Sequence, residues 1–234
     1  MQYKNYGKNP IKSILDLGCN RKTKADDDYE DDDEGFSVKS GIYARKKSIM
    51  QFDYYLDCNI TAPSNYRDIL YTISHLSKDD EMDIYLDTGG GRLDATLRFI
   101  SAIQETDGSV VVIGAGMAAS AGAILFLQCP NVVVTPQMTM MLHAASYSAY
   151  GKELEVSEMV RFSEKTLKKL ANDTYEGFLT ALEITNLKMG KDYFFDAEEI
   201  IGRLEIREKF LSAKKVIKTV KPKPKAKAKI KTSK

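Results

Sequence analysis

Two residue types that cooperate in nucleophilic catalysis, a serine and a histidine, occupy suggestive positions in this sequence. Ser120 follows a run of small residues, after a β-branched segment and before an apolar one. Small neighbours let a substrate backbone approach the hydroxyl, and helix N-terminal amides point toward developing negative charge. The pattern predicts a nucleophile, although Gly-x-Ser-x-Gly is missing and the same run would also serve helix–sheet packing alone.

The chain has two histidines, so a general base of this type is His75 or His143. His75 lies within a predicted helix over residues 65–76, where we expect a surface or boundary role. His143 ends a predicted strand where the chain enters a loop, which is a common place for catalytic groups. A structural histidine at a strand end is the alternative.

A Ser–His pair works best with a carboxylate that fixes the imidazole tautomer. Three aspartates follow His143: Asp173, Asp192 and Asp196. Asp173 falls inside a predicted helix, on its solvent face, and Asp196 is placed to cap a helix. Asp192 enters an aromatic segment that would bury it. The residues alone therefore modestly favour Asp192 as the third member.

Three consecutive glycines, residues 89–91, follow a predicted strand and would expose backbone amides. They fit neither the phosphate-binding pattern that ends in Gly-Lys-Ser/Thr nor Gly-x-Gly-x-x-Gly. The glycines are compatible with an oxyanion hole, a phosphate contact or a plain tight turn.

Alternating predicted strands and helices must position these residues. The predicted strands cover residues 52–56, 83–87, 109–113, 131–134 and 138–143, and the predicted helices cover 65–76, 93–105, 124–128 and 152–187. This order indicates an α/β fold with parallel strand pairings.

Composition restricts the class of protein. The 234 residues are 43% hydrophobic and 29% charged, which suits a folded domain with appendages. No apolar run approaches the roughly 20 residues that span a bilayer, and the polar N-terminus shows no secretory signal. Three scattered cysteines make no disulfide framework. We therefore expect a cytoplasmic protein without a membrane partner.

The net charge of +1 conceals two oppositely charged segments. Residues 26–34 hold eight acids in nine positions, and residues 214–234 hold ten lysines and no acid. Such blocks are typical of solvated, disordered chain. We therefore predict a charged N-terminal segment (1–50), a folded domain (51–211) and a lysine-rich disordered tail (212–234). The tail could contact nucleic acid or an acidic partner, or merely aid solubility.

Together these motifs resemble the Clp protease proteolytic subunit (ClpP) family of serine peptidases. Residues 116–123, Gly-Met-Ala-Ala-Ser-Ala-Gly-Ala, resemble the family's Gly-Gln-Ala-Ala-Ser-Met-Gly-Ala nucleophile motif. Residues 83–91 resemble its strand and Ser-Pro-Gly-Gly turn, 141–143 its Met-Ile-His, and 192–197 its Asp-Arg-Phe-Leu-Ser-Ala. The four motifs keep the family's order, between about Phe52 and Leu204.

The resemblance implies a ClpP/crotonase-type fold of repeated β-β-α units with a long protruding helix. It makes Ser120 the nucleophile, His143 the general base and Asp192 the orienting acid, with the backbone amides of Gly91 and Ala121 as the oxyanion hole. It further implies a serine endopeptidase in rings of seven subunits, possibly stacked in pairs, that hydrolyses unfolded polypeptides and needs neither metal nor cofactor. The helix over 152–187 would form the wall between facing rings.

Departures from the family leave alternatives open. Gly89 replaces the turn proline, Ala144 and Ala145 replace Gln-Pro, and both termini diverge, so docking of an AAA+ unfoldase does not follow. One alternative is a virus-encoded ClpP-like protease that matures a capsid, tethered to its scaffold through the charged ends. Another is a catalytically inactive structural ring subunit. A crotonase-type acyl-CoA hydratase would want paired glutamates, which are not evident.

Overall fold

The computed structural model describes residues 49–220, with side chains described as far as Lys214. The strands are β1 (Gln51–Leu56), β2 (Glu81–Thr88), β3 (Ser109–Ala119), β4 (Val132–Val134), β5 (Thr139–Leu142) and β6 (Tyr193–Phe195). The helices are α1 (Arg67–Ser74, after a 3-10 turn at Pro63–Tyr66), α2 (Leu93–Glu105), α3 (Ala121–Gln128), α4 (Glu153–Tyr175), α5 (Ala181–Lys188) and α6 (Ala197–Val220). The acidic run and the tail beyond residue 220 lie outside these residues.

The strands form one six-stranded sheet in the order β1-β2-β3-β5-β6, with β4 pairing beside β3. Every pairing is parallel except that of β5 with β6, which is antiparallel. Each parallel strand is reached through a crossover, and parallel sheets are normally covered by helices. The predicted α/β class with parallel pairings is confirmed.

The core lies where α3 meets the central strands. Phe126, Leu125 and Phe99 are completely buried, as are Val112 of β3 and Ile84 of β2. Residues 121–127 of α3 are buried on all sides, which is the pattern of a helix inside the core rather than on its surface. The helix that follows Ser120 is therefore held by packing around its whole circumference.

Two predicted boundaries are wrong. The predicted helix over 152–187 is two helices, α4 and α5, separated at residues 176–180. Gly177 has φ +82°, and a Cβ there would lie 2.9 Å from the Phe210 ring of α6. Because α6 approaches so closely, residue 177 must be glycine. Its positive φ is incompatible with a continuing α-helix, so α4 ends before it. The second error concerns β3, which does not end at Ile113 but continues through the small residues to Ala119.

Helix α6 extends to Val220, beyond residue 211 where the folded domain was expected to end. Among residues 49–220, no helix combines the length and the apolarity that a bilayer span requires.

Arg203 of α6 hydrogen-bonds to the segment between α4 and α5 and to the start of α5. Its guanidinium donates to both carboxylate oxygens of Glu183, at 2.8 and 3.1 Å, and to the Phe178 carbonyl at 3.0 Å. The Glu183 side chain also accepts from the Thr180 amide, in a capping box that begins α5. The hydrogen bonds from Arg203, with further ones from Thr180, lower the pKa of Glu183 to about 2.

This depressed pKa predicts an acid-sensitive contribution to stability. On folding, the pKa of Glu183 falls from 4.5 to about 2. The carboxylate therefore stabilises the folded state fully above pH 4.5, and this contribution is lost as the pH falls toward 2. We expect Glu183→Gln to lower the free energy of unfolding at pH 7 and to flatten its dependence on pH in that window. Urea unfolding at several pH values measures both effects.

Glu158→Gln, which removes an exposed carboxylate beside Arg161, is the control and should change neither. A wild-type acid dependence retained by Glu183→Gln would contradict the assignment.

Candidate active site

Ser120 stands at a strained junction between β3 and α3. Its φ of 54° and ψ of −118° make it the one non-glycine residue with positive φ between residues 49 and 220. Non-glycine residues occupy this region at a cost, and such strain persists where the surrounding structure enforces it. Here the buried β3 and the fully packed α3 enforce it from both sides. The turn projects the serine side chain out of the core at the helix N-terminus.

A backbone hydrogen bond to the neighbouring strand sets where Ser120 lies relative to His143. The Ser120 amide donates to the Met141 carbonyl of β5 over 2.9 Å, and the strand ends one residue later at Leu142. His143 is the next residue, and its Nε2 lies 2.6 Å from Ser120 Oγ. A hydroxyl and an imidazole nitrogen at this distance can share the serine proton, which is the requirement for a base-activated nucleophile. The structure thus brings together the two residues that the sequence singled out.

The glycine turn lies directly against this serine. A Cβ on Gly90 would lie 2.6 Å from the Ala119 carbonyl and 2.7 Å from Ser120 Cβ, so only glycine fits there. Gly90 and Gly91 have φ values of +95° and +141°, which glycine adopts without strain. The turn that carries Gly91 is therefore packed against Ser120, with Ala121 the first residue of α3 beyond it.

Asp192 directly precedes β6, the strand that pairs with the one before His143. In the antiparallel pairing, Leu142 of β5 faces Tyr193 of β6, so the next position places His143 opposite Asp192. The Asp192 side chain is exposed, so the expected burial in the aromatic segment is wrong, and within the described residues Ser120 is the one side-chain partner of the imidazole. The register is right for a triad, but no hydrogen bond joins the carboxylate to the ring. Its role as the orienting acid stays a prediction.

The other candidates have structural roles. Asp196 Oδ1 accepts from the Glu199 amide over 2.9 Å, which confirms it as the N-cap of α6. Asp173 is exposed on α4, as predicted. His75 follows α1, is exposed, and bonds through Nδ1 to the Tyr71 carbonyl at 2.8 Å, which confirms its surface position.

A cavity of about 560 Å³ opens beside the serine. Ser120, Ala121, Gly91 and His143 form one side, and apolar side chains with a few hydroxyls form the rest: Ile60, Leu93, Ile124, Tyr147, Phe162, Ser163, Thr166 and Leu167. An adjoining cavity of about 400 Å³ shares the His143 wall and extends along α4 to Tyr175. Such mostly apolar concavities with a few convergent polar groups are typical of ligand sites.

Helix α4 supplies one wall of the cavity through Phe162, Thr166 and Leu167, a contribution that sequence reasoning missed. Their spacing of four and five residues places them along one side of a helix, and this was the available signal. Nothing in the sequence alone said which element that side would face.

A charged pair stands at the cavity rim. Arg92 follows the glycine turn, and its guanidinium makes two hydrogen bonds to the Asp94 carboxylate, at 2.6 and 3.0 Å. These bonds hold the pKa of Asp94 below its usual value and raise that of Arg92. Both groups are therefore charged near neutral pH, and the pair leaves little net charge at the mouth of an otherwise apolar cavity.

Comparison with known proteins identifies relatives of this chain. The Clp protease family model matches residues 46–202. The ATP-dependent Clp protease proteolytic subunit 3 of Rhizobium etli is 26% identical over 129 residues, covering 53% of this chain and 64% of that protein. Subunit 3 of a Synechococcus species is 30% identical over 132 residues, with the same coverage. Subunit 1 of Leifsonia xyli is 26% identical over 129 residues, covering 53% of this chain and 66% of that protein.

The chain therefore spans just under two thirds of the length of these relatives. The family match, by contrast, covers more than half of the chain and includes β1 through the first turns of α6. Ser120, His143, Asp192 and the glycine turn all lie within it. The chain belongs to the Clp protease family.

Proposed function

We propose that this protein is a serine endopeptidase in which Ser120 is the nucleophile, His143 the general base and Asp192 the orienting acid. The observation that carries the proposal is the distance of 2.6 Å between Ser120 Oγ and His143 Nε2. Ser120 lies at a junction where the surrounding packing maintains a strained backbone. A serine hydroxyl is a weak nucleophile until a base accepts its proton. Family membership agrees with this reaction class.

In the proposed mechanism, the Ser120 oxygen attacks the scissile carbonyl while its proton passes to His143 Nε2. The imidazolium then protonates the leaving amine as the tetrahedral intermediate collapses to an acyl-enzyme. A water gives its proton to the same nitrogen and attacks the ester; the imidazolium then returns the proton to the Ser120 oxygen as the carboxylic product leaves. Asp192 would hold the imidazole with its proton on Nδ1, so that Nε2 is free to accept. No metal or organic cofactor enters these steps.

The negative oxygen of the tetrahedral intermediate needs donors that are already in place. We assign this role to the amides of Gly91 and Ala121, which both line the cavity beside Ser120. Ala121 is the first residue of α3, so its amide lies at the positive end of the helix and has no carbonyl to bond within it.

The substrate class follows from the cavity. Its apolar lining and near-neutral rim suit apolar side chains of a polypeptide substrate. By likeness to relatives named as proteolytic subunits, we further propose that the chain works as a subunit of a homo-oligomeric ring.

A second candidate is a ring subunit that has lost catalysis and serves structurally. The lack of a hydrogen bond between the exposed Asp192 carboxylate and the His143 imidazole favours this reading, because an unsupported imidazole is a poorer base. Reactivity of Ser120 separates the two functions.

The decisive test is labelling with a fluorophosphonate, which reacts with activated serines. We expect the wild-type protein to be labelled and to cleave a fluorogenic peptide, and Ser120→Ala to do neither. Ser101→Ala is the matched control, since Ser101 is exposed on α2 and does not line the cavity, and it should keep both activities.

Two outcomes would count against the proposal. A folded, assembled wild-type protein that resists labelling would support the inactive subunit instead. Labelling that persists in Ser120→Ala would place the nucleophile at another serine.

The role of Asp192 is tested separately by Asp192→Asn. We expect kcat to fall by about 10³- to 10⁴-fold at neutral pH, because an amide favours the wrong imidazole tautomer. Asp196→Asn is the control: asparagine also caps helices, so activity and stability should stay near wild type. Steady-state kinetics per labelled site gives the comparison. Full activity of Asp192→Asn would show that another group, or none, orients His143.

A further inference from the structure

Thr88, the last residue of β2, connects three parts of the site although it does not line the cavity. Its side chain is 2% exposed. Its hydroxyl donates to the Cys58 carbonyl over 2.6 Å and accepts from the Gly90 amide over 3.1 Å. Its methyl group lies against the first turn of α3, where a Cβ on Gly122 would come within 2.5 Å of it. A hydroxyl has one proton and two lone pairs, so both hydrogen bonds are made at once.

The direction of the Gly91 amide depends on two backbone contacts. The Gly90 carbonyl accepts from the Ile60 amide over 2.7 Å, and the Arg92 amide donates to the Ile60 carbonyl over 2.8 Å. In a planar trans peptide, the N–H points opposite to the carbonyl of the same unit. The Gly90 carbonyl faces Ile60, so the Gly91 N–H points away from Ile60.

Those contacts fix the Gly90–Gly91 peptide, and Thr88 fixes the one before it. The Thr88 hydroxyl accepts a hydrogen bond from the Gly90 N–H. The residue between them, Gly89, has no side chain that would restrict its backbone. A run of three glycines has the greatest backbone freedom that a turn can have. The hydrogen bond to Thr88 therefore restrains a segment that would otherwise reorient.

We propose that Thr88 is a positioning residue for the oxyanion hole: its hydroxyl holds the glycine turn so that the Gly91 amide is directed at the developing oxyanion. The inference rests on the proposed function, since it assigns a purpose to the turn only if Ser120 attacks a carbonyl. Thr88 acts through Gly90 and touches no reacting atom. Its effect is therefore on the alignment of a donor, which matters most in the transition state.

The test replaces Thr88 with valine, which keeps the methyl group beside Gly122 and removes the hydroxyl. We expect kcat per fluorophosphonate-reactive site to fall by about 10- to 100-fold, as misplacement of a catalytic group does, with KM changed little. Thr88→Ser, which keeps the hydroxyl, should recover most of the lost kcat.

Thr135→Val controls for the loss of a buried threonine hydroxyl. Thr135 is 3% exposed, and its hydroxyl donates to the Gly114 carbonyl over 2.7 Å, at a distance from the glycine turn. We expect it to lower the thermal unfolding midpoint about as much as Thr88→Val does while leaving kcat unchanged.

A peptide boronate distinguishes positioning from general disturbance. It forms a tetrahedral adduct with the serine, and an oxygen of that adduct occupies the oxyanion hole. Across wild type, Thr88→Ser and Thr88→Val, we expect the inhibition constant to rise by the same factor by which kcat/KM falls.

The outcomes separate the inference from the function beneath it. If wild type cleaves peptides and Thr88→Val has wild-type kcat, or loses kcat without weaker boronate binding, the positioning role is wrong and the peptidase stands. If Thr88→Val retains no folded protein, Thr88→Ser decides the matter: a loss of kcat and of boronate affinity by about 10-fold or more despite the retained hydroxyl would overturn the proposal. An inert wild-type protein would overturn both.

Discussion

The hydrogen bond from the Ser120 amide to the Met141 carbonyl is the contact on which the site depends. It joins the end of β3 to β5 two residues before His143, so the serine and the histidine are positioned by sheet pairing rather than by flexible side chains. Sites built on strands and helices hold their geometry better than sites built on loops. The strained φ of Ser120 is the local consequence, because the chain must leave a buried strand and enter a buried helix within a single residue.

Close approach of neighbouring groups to the backbone is the second constraint, and glycine permits it. Gly90 lies against the peptide of Ala119, Gly116 lies against the carboxyl group of Asp87, and Gly122 lies against Thr88. At each place a Cβ would come within 2.7 Å of its neighbour, closer than such contacts allow. Asp87 also accepts from the Met117 amide over 2.8 Å, which ties the end of β2 to the second half of β3. The small residues before Ser120 thus permit the sheet to approach both the helix and the glycine turn.

The sequence predicts the order of elements and the Ser–His pair because both leave local signals. Strands of β-branched residues, amphipathic helices and a serine among small residues are each visible within a short window. The break between α4 and α5 leaves weaker local signals, Gly177 and the capping box of Thr180 and Glu183, and the contact that requires the glycine, with the ring of Phe210 on α6, is not local. The end of β3 was missed for a similar reason: Gly114 to Ala119 have low strand propensity and are extended through pairing with β5. In the sequence, Thr88 is one residue of a turn motif. Only the fold places Cys58 and Gly122 beside it.

The acid of the proposed triad directly precedes β6, one of the two three-residue strands of the sheet within residues 49–220. Strand β6 has three residues, lies at the edge, and pairs only with the four-residue β5, while the side chain of Phe194 is 71% exposed. Short edge pairings open at a lower free-energy cost than global unfolding. The proposed nucleophile follows the long central strand β3, whereas the proposed acid precedes a three-residue edge strand. Under the proposed mechanism, local opening of β6 would displace the acid while Ser120 and His143 stay in place.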